Sequence, residues 1–178
     1  MEPGRGAAGR EDVPVTYVAV IGPGDADEGS EAVVRSEVVG RELARAGAVV
    51  VCGGRGGVMA AACRGCAAGG GTSLGLLPGD DRSEANPWVT IAVPTGLGEA
   101  RNALVVRAAD AVVAVGGGYG TLAEIALALR AGTPVVGLRT WEPVIAGRRD
   151  HGIVLAGGPE EAVALALRLG RERPGKTG

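Results

Sequence analysis

The chain predicts an α/β fold: a single Rossmann-like, doubly wound sheet, mainly parallel, with helices on both faces. Three observations carry this. Strand-like and helix-like runs alternate from Thr16 to Leu169, and such alternation implies parallel pairing through right-handed crossovers. The strand-like runs are short, apolar and rich in β-branched residues, as in Ala111–Val115, which is the pattern of strands covered on both faces. The 33 glycines follow no fixed period and cluster between the runs, where they serve turns. No internal repeat and no linker interrupts the pattern, so one domain is expected over 15–170, between loose tails at 1–14 and 171–178. The first tail is rich in Gly, Arg and Glu and has no apolar core of a signal peptide; the composition of the second begins at Arg168.

Thr16–Ile21 reads as the first strand, ended by Gly22-Pro23-Gly24. Glu28–Ala46 reads as an amphipathic helix with Val33, Val34, Val38, Leu43 and Ala44 on its apolar side, closed by Gly47. Ala48–Cys52 is the second strand, followed by Gly53-Gly54-Arg55-Gly56-Gly57. Val58–Ala68 is a helix of small residues, closed by Gly69-Gly70-Gly71. Thr72–Leu77 is the third strand, cut by Pro78; Gly79–Pro87 is a polar loop; Trp88–Val93 is the fourth strand. Gly98–Ala109 is a helix that feeds the central strand, Ala111–Val115. Ile125–Arg130 reads as helix and stops at Ala131-Gly132. Thr133–Leu138 is a sixth strand and Ile153–Leu155 a short seventh. Pro159–Leu169 is the final helix, with Pro159 suited to its first turn.

Composition narrows the function classes. Hydrophobic residues are 46% but aromatics only 2%, with no Phe, so the core is built from Val, Ala, Leu and Ile. A net charge of -2 provides no basic surplus to coat nucleic acid. Three cysteines are too few for a disulfide scaffold and point to a reducing, cytoplasmic setting. No apolar run reaches membrane-spanning length, because Arg107 and Asp110 interrupt the longest candidate. The expected partner is a small phosphorylated molecule, with neither nucleic acid nor membrane.

The chemistry centres on Gly116-Gly117-Gly118-Tyr119-Gly120-Thr121-Leu122-Ala123-Glu124, between the central strand and the next helix. Four glycines in five residues exceed what a tight turn needs. Glycine lets the backbone take positive φ and lets a ligand come close, and the free N–H groups of a helix's first turn favour an anion. The reading is a phosphate cradle at Gly117, Gly118, Tyr119, Gly120 and Thr121. In a parallel sheet the glycine turns after the first, second and central strands emerge on one edge, which adds Gly22, Gly53 and Gly54 to the same pocket. Thr121-x-x-Glu124 also fits a capping box. A helical side chain leans toward the N-terminus, so Glu124 points at the cradle either way, and the motif leaves capping and chemistry both open. Arg101 opens a helix, and with its strand taken to lie next to the central one its guanidinium reaches the pocket, where its fork suits phosphate or carboxylate. A solvated arginine at a helix start is the equal alternative.

Other chemistries fail on spacing. The dinucleotide fingerprint needs Gly-x-Gly-x-x-Gly and an acid after the next strand; here the third glycine is displaced to Gly29, and Cys52-Gly53 stands where the acid belongs. No Gly-x-x-x-x-Gly-Lys-Ser/Thr occurs, which removes the P-loop. Cys63-x-x-Cys66 lies inside a helix without a second pair and reads as core packing, so no metal site is expected. His151 is the only histidine, and no nucleophilic triad can be built on it.

These motifs resemble those of the LOG family, formerly labelled lysine decarboxylases. Gly116–Glu124 is similar to its Pro-Gly-Gly-x-Gly-Thr-x-x-Glu signature, and Arg101 falls in register with the family's arginine before it. Cys52–Met59 and Leu74–Pro78 resemble an earlier glycine block and a Gly-Ile-x-Pro strand. The resemblance spans roughly Tyr17 to Leu138. It implies a phosphoribohydrolase that splits the N-glycosidic bond of a nucleoside 5′-monophosphate, with no required cofactor, as a homodimer or higher homo-oligomer. It implies catalysis by Arg101 and Glu124 and phosphate held at Gly117–Thr121. Two positions depart from the pattern: Gly116 replaces the signature's proline, and Asn102, a ligand-binding candidate, replaces the usual lysine. The Arg101-Asn102 pair and the Gly-Gly-Gly-Tyr-Gly-Thr loop are closer to the branch that includes molybdenum-cofactor carrier proteins. That branch implies a carried, phosphate-bearing pterin, the molybdenum cofactor, and no hydrolysis. A nucleotide-sensing module is the third reading. The decarboxylase label has no physical support, since no lysine lies near the cradle to form a Schiff base.

Overall fold

Seven parallel strands form the central sheet, and their order places the site. The structure is a computed structural model and describes residues 14–173. The strands are β1 (Tyr17–Ile21), β2 (Val49–Cys52), β3 (Ser73–Leu77), β4 (Ile91–Pro94), β5 (Ala111–Val115), β6 (Val135–Leu138) and, after a small hairpin of β7 (Val144–Ile145) and β8 (Arg148–Arg149), β9 (Ile153–Leu155). The helices are α1 (Glu31–Arg45), α2 (Gly57–Ala68), α3 (Asn102–Ala108), α4 (Tyr119–Arg130) and α5 (Pro159–Arg171). The sheet order is β4-β3-β2-β1-β5-β6-β9, with every pair parallel. The chain steps outward from β1 to β4, then returns to place β5 against β1. Strand order therefore reverses between β1 and β5, where crevices open beyond the carboxyl ends of the strands.

The alternation of side chains in a strand divides the core in two. Val18 and Val20 of β1, with Val113 and Val115 of β5, face α1, α2 and α5 through Val39, Leu43, Val58, Ala62 and Ala166. Ala19 and Ile21, with Val112 and Ala114, face α3 and α4 through Val105, Val106, Ile125 and Ala128. Both faces are sealed, which is why the central strands are apolar at every position. All three cysteines are buried free thiols, and Cys63 and Cys66 sit in α2 as packing residues, as expected.

The apolar side of α1 differs from expectation. Val34 is 55% exposed, and the buried face runs through Val33, Ser36, Val39, Gly40 and Leu43. The cause is α2. A Cβ on Gly40 would overlap the carbonyl of Ala62, and one on Gly65 would overlap the carbonyl of Glu37. Two helices that meet backbone to backbone select the face bearing small residues, not the face with the larger hydrophobes.

The hairpin β7–β8 was not foreseen; it is short and exposed, without the alternating apolar pattern that marks a strand. At the C-terminus α5 runs to Arg171, and the Arg173 guanidinium donates to the carbonyls of Ala109 (3.0 Å) and Ala131 (3.2 Å). The helix thus continues through the stretch from Arg168 that composition marks as a tail, because arginines in the last turn complement the helix dipole. The expected tails otherwise lie outside the described residues. Among the described residues no helix is long and apolar enough to cross a membrane.

Candidate functional site

A cleft of about 500 Å³ opens at the β1/β5 reversal. It is lined on one side by Gly22, Pro23, Gly24 and Asp25 after β1, and on the other by Gly117, Gly118, Tyr119, Gly120, Thr121 and Glu124 after β5. Arg101, Asn102 and Met59 complete it. Nine of the eleven residues expected from sequence therefore meet in one cleft, and Gly53 and Gly54 do not line it. Gly53 acts one step away: a Cβ there would overlap the guanidinium of Arg101. Gly54, with φ +73°, turns the chain and is packed against Gly75 and Leu77.

The turn after β5 takes three residues. Gly116 has φ +69°, the left-handed conformation that favours glycine, and α4 begins at Tyr119 with Gly118 as its cap. Gly118 has no side chain to cap the helix. The first intrahelical bond is Leu122 N–H to Gly118 O at 2.9 Å, so the N–H groups of Tyr119, Gly120 and Thr121 have no helical acceptor and border the cleft. This start also decides the capping question. Thr121 is the third residue of the helix and not its cap, so the Thr121-x-x-Glu124 spacing is no capping box here. Thr121 is buried, as is Glu124, at 8% exposure.

Arg101 arrives by a route other than the one expected. Its preceding strand, β4, is the sheet edge, separated from β5 by β3, β2 and β1. The chain must cross back beneath those strands to reach β5. A 3-10 turn at Gly98–Arg101 opens that crossing and lays Arg101 over Gly53, just past the end of β2. Arg101 is 7% exposed, and its Nε is buried without a hydrogen-bond partner. Burial lowers its pKa, and the charge of Glu124 opposes that.

Burial pushes the Glu124 carboxyl up to about 7, and Arg101 only partly pulls it back. No hydrogen bond or ion pair holds either group among the described residues; they act on each other through space. A buried cation and a half-neutral acid, both unpartnered, cost stability. Such an arrangement leaves the arginine's donors free toward the cleft and a carboxyl able to donate or accept a hydrogen bond near neutral pH.

Sequence reasoning missed Pro23, Gly24, Asp25, Met59 and Trp141. Trp141 lies in the loop after β6, and its indole N–H donates to the Gly118 carbonyl at 3.1 Å. Its signal was rarity: a loop tryptophan in a chain with two Trp and two Tyr.

A valine at Gly118 tests the cradle without disturbing the fold. Gly118 is extended (φ 167°), which any residue adopts, and a Cβ there would meet only Thr121 Oγ1, at 4.0 Å. Gly118→Val is expected to melt within a few degrees of wild type and to lose binding of ribose 5-phosphate by calorimetry. Undiminished affinity in the folded variant would remove Gly118 from the cradle.

Comparison with known proteins agrees with this fold. A family model described as the SLOG cluster4 family matches residues 15–163. An uncharacterized protein of Archaeoglobus fulgidus is 38% identical over 150 residues, covering 84% of this chain and 93% of that protein. The molybdenum cofactor binding protein of the phototrophic bacterium Rippkaea orientalis superposes with a TM-score of 0.77 at 30% identity, over 88% of this chain and 98% of that one. The Moco carrier protein of Chlamydomonas reinhardtii superposes with a TM-score of 0.77 at 36% identity, over 89% of this chain and 99% of that one.

Proposed function

The chain belongs to the SLOG cluster4 family, a LOG-like family with a branch resembling molybdenum-cofactor carriers, and from that premise we propose that it binds and carries a phosphate-bearing pterin of the molybdenum-cofactor type. The observation that carries the proposal is Arg101: buried, unpartnered at Nε, and lining the same cleft as the uncapped start of α4. A guanidinium removed from water calls for an anionic acceptor. The phosphate fills the cradle of Gly117–Thr121, Arg101 holds the same or a second anionic group, and Asn102 offers an amide to the ligand's polar edge. Carriage is favoured over turnover by the two solved neighbours, described as binding or carrying the molybdenum cofactor at 30% and 36% identity. The cofactor is cargo in this reading and supplies no chemistry to the protein.

A second reading rests on Glu124. A carboxyl beside the cradle with its pKa near neutrality is poised for general acid–base work, which supports hydrolysis of a nucleoside 5′-monophosphate. In that case Glu124 stabilises the developing positive charge on the sugar or orients water, and Arg101 holds the phosphate or ribose.

One experiment separates the readings. Purified protein is incubated with the common nucleoside 5′-monophosphates while free base and ribose 5-phosphate are followed, and a second sample is analysed for bound molybdenum and pterin. The carrier reading expects bound pterin and no released base. Catalytic release of base from any nucleotide establishes hydrolysis, and neither result, with calorimetric binding of a mononucleotide, leaves the sensing module.

A further inference from the structure

Aromatic residues are scarce in this chain: two Trp, two Tyr and no Phe. Two of the four stand together, one lining the cleft and the other behind it. Trp141 is half-buried against the half of the core that faces α3 and α4, and its indole N–H is tied to the Gly118 carbonyl at 3.1 Å. Tyr119 lies beside it, with ring centroids 5.9 Å apart and planes tilted by 38°. Tyr119 lines the cleft and yet is 83% exposed. Its ring packs into no core and its hydroxyl has no partner among the described residues, so the fold makes little use of it.

We propose that Tyr119, backed by Trp141, is a stacking shelf for a flat heteroaromatic ring on the ligand, so that the cleft favours phosphate esters carrying such a ring over bare sugar phosphates. The inference rests on the anion-binding reading of this cleft and adds the feature that reads the rest of the ligand. Tyr119 is the first residue of α4, so the shelf begins where the phosphate cradle begins. Trp141 is anchored to the backbone of that same loop, which fixes the shelf relative to the bound phosphate. Offset aromatic pairs hold one another by their ring edges and faces, leaving the outer face of Tyr119 for a third ring. A pterin and a nucleobase share this chemistry: a planar heteroaromatic ring set a short spacer from a phosphate. Stacking of one base on an aromatic side chain changes affinity by roughly 5- to 100-fold.

The test compares ring-bearing with ringless phosphates by calorimetry on the whole chain. The probes are 6-(phosphooxymethyl)pterin, guanosine 5′-monophosphate and ribose 5-phosphate. Tyr119→Ala keeps the backbone N–H of the cradle and is expected to lower the affinity ratio of the tighter ring-bearing probe to ribose 5-phosphate by roughly 5- to 100-fold. Tyr119→Phe is expected to restore affinity, because the ring and not the hydroxyl does the stacking. A side chain this exposed contributes little to folding, and a thermal melt checks that Tyr119→Ala is folded. An unchanged ratio of ring-bearing to ringless affinity in Tyr119→Ala overturns the shelf, as does equal weakening of all probes, which marks damage to the cradle instead. Wild-type protein that binds none of the probes defeats the anion-site reading first, and the shelf with it.

Discussion

Arg101→Met is expected to weaken binding of ribose 5-phosphate by roughly 100-fold and to leave the protein at least as stable as wild type. Each hydrogen bond to a charged group contributes about 1.5–3 kcal/mol, and the guanidinium fork can make two to one anion. The stability half of the expectation follows from burial without a hydrogen-bond partner. Arg101 is buried, its Nε has no partner, and Glu124 answers it only through space. Methionine fills much of the same volume without that desolvation cost. The carboxyl left behind is not stranded as a charge, because loss of Arg101 removes the one group that lowers its pKa and the acid stays protonated. Calorimetry with ribose 5-phosphate and a thermal melt read the two halves. Arg101→Lys keeps the charge but loses the fork and should fall between. A folded Arg101→Met that binds as wild type would return Arg101 to a structural role.

Glu124→Gln is expected to stabilise the ligand-free protein at alkaline pH by ~3 kcal/mol, taking a rise from 4.5 to about 7 at ~1.4 kcal/mol per pH unit. The sign follows from linkage. The folded state holds the Glu124 proton more tightly than the unfolded chain does. The advantage this confers is complete below the ordinary carboxyl pKa and is lost as pH rises through about 7. Glutamine has no proton to lose. The variant should match wild type near pH 4 and exceed it increasingly across pH 5–8, by urea unfolding. A pH-independent difference would mean that Glu124 is ionised and satisfied in the fold. The same variant divides the functional readings. If the protein carries its ligand, anion affinity holds or rises as repulsion falls. If it hydrolyses nucleotides, turnover falls while binding survives.

Much of this was legible in the residues because the signals are local. Ala111–Val115 is apolar at every position because β5 is covered on both faces, and the burial requirement alone writes that pattern. Gly116–Thr121 marks a glycine-rich turn into an uncapped helix because positive φ and free N–H groups are backbone properties that glycine advertises. What failed was also local in cause. The helix after the cradle begins at Tyr119, several residues before its apolar pattern starts at Ile125, since a first turn held by backbone bonds needs no hydrophobic face. The capping-box spacing of Thr121 and Glu124 was therefore a coincidence of distance along the chain.

Residues within a few positions of one another suffice for the parallel α/β fold, the glycine-rich turn into α4 and the absence of dinucleotide and P-loop spacings. Which remote groups share the cleft follows from packing in three dimensions. It put Arg101 there from an edge strand, over Gly53, brought Asp25 to the opposite wall and tied Trp141 to Gly118. It also left Glu124 buried without a hydrogen bond among the described residues, with its pKa raised to about 7. The reason is physical: strand order and crossover path decide which loops meet at the β1/β5 reversal, and burial, which sets the charge of Glu124, is a property of everything packed around it.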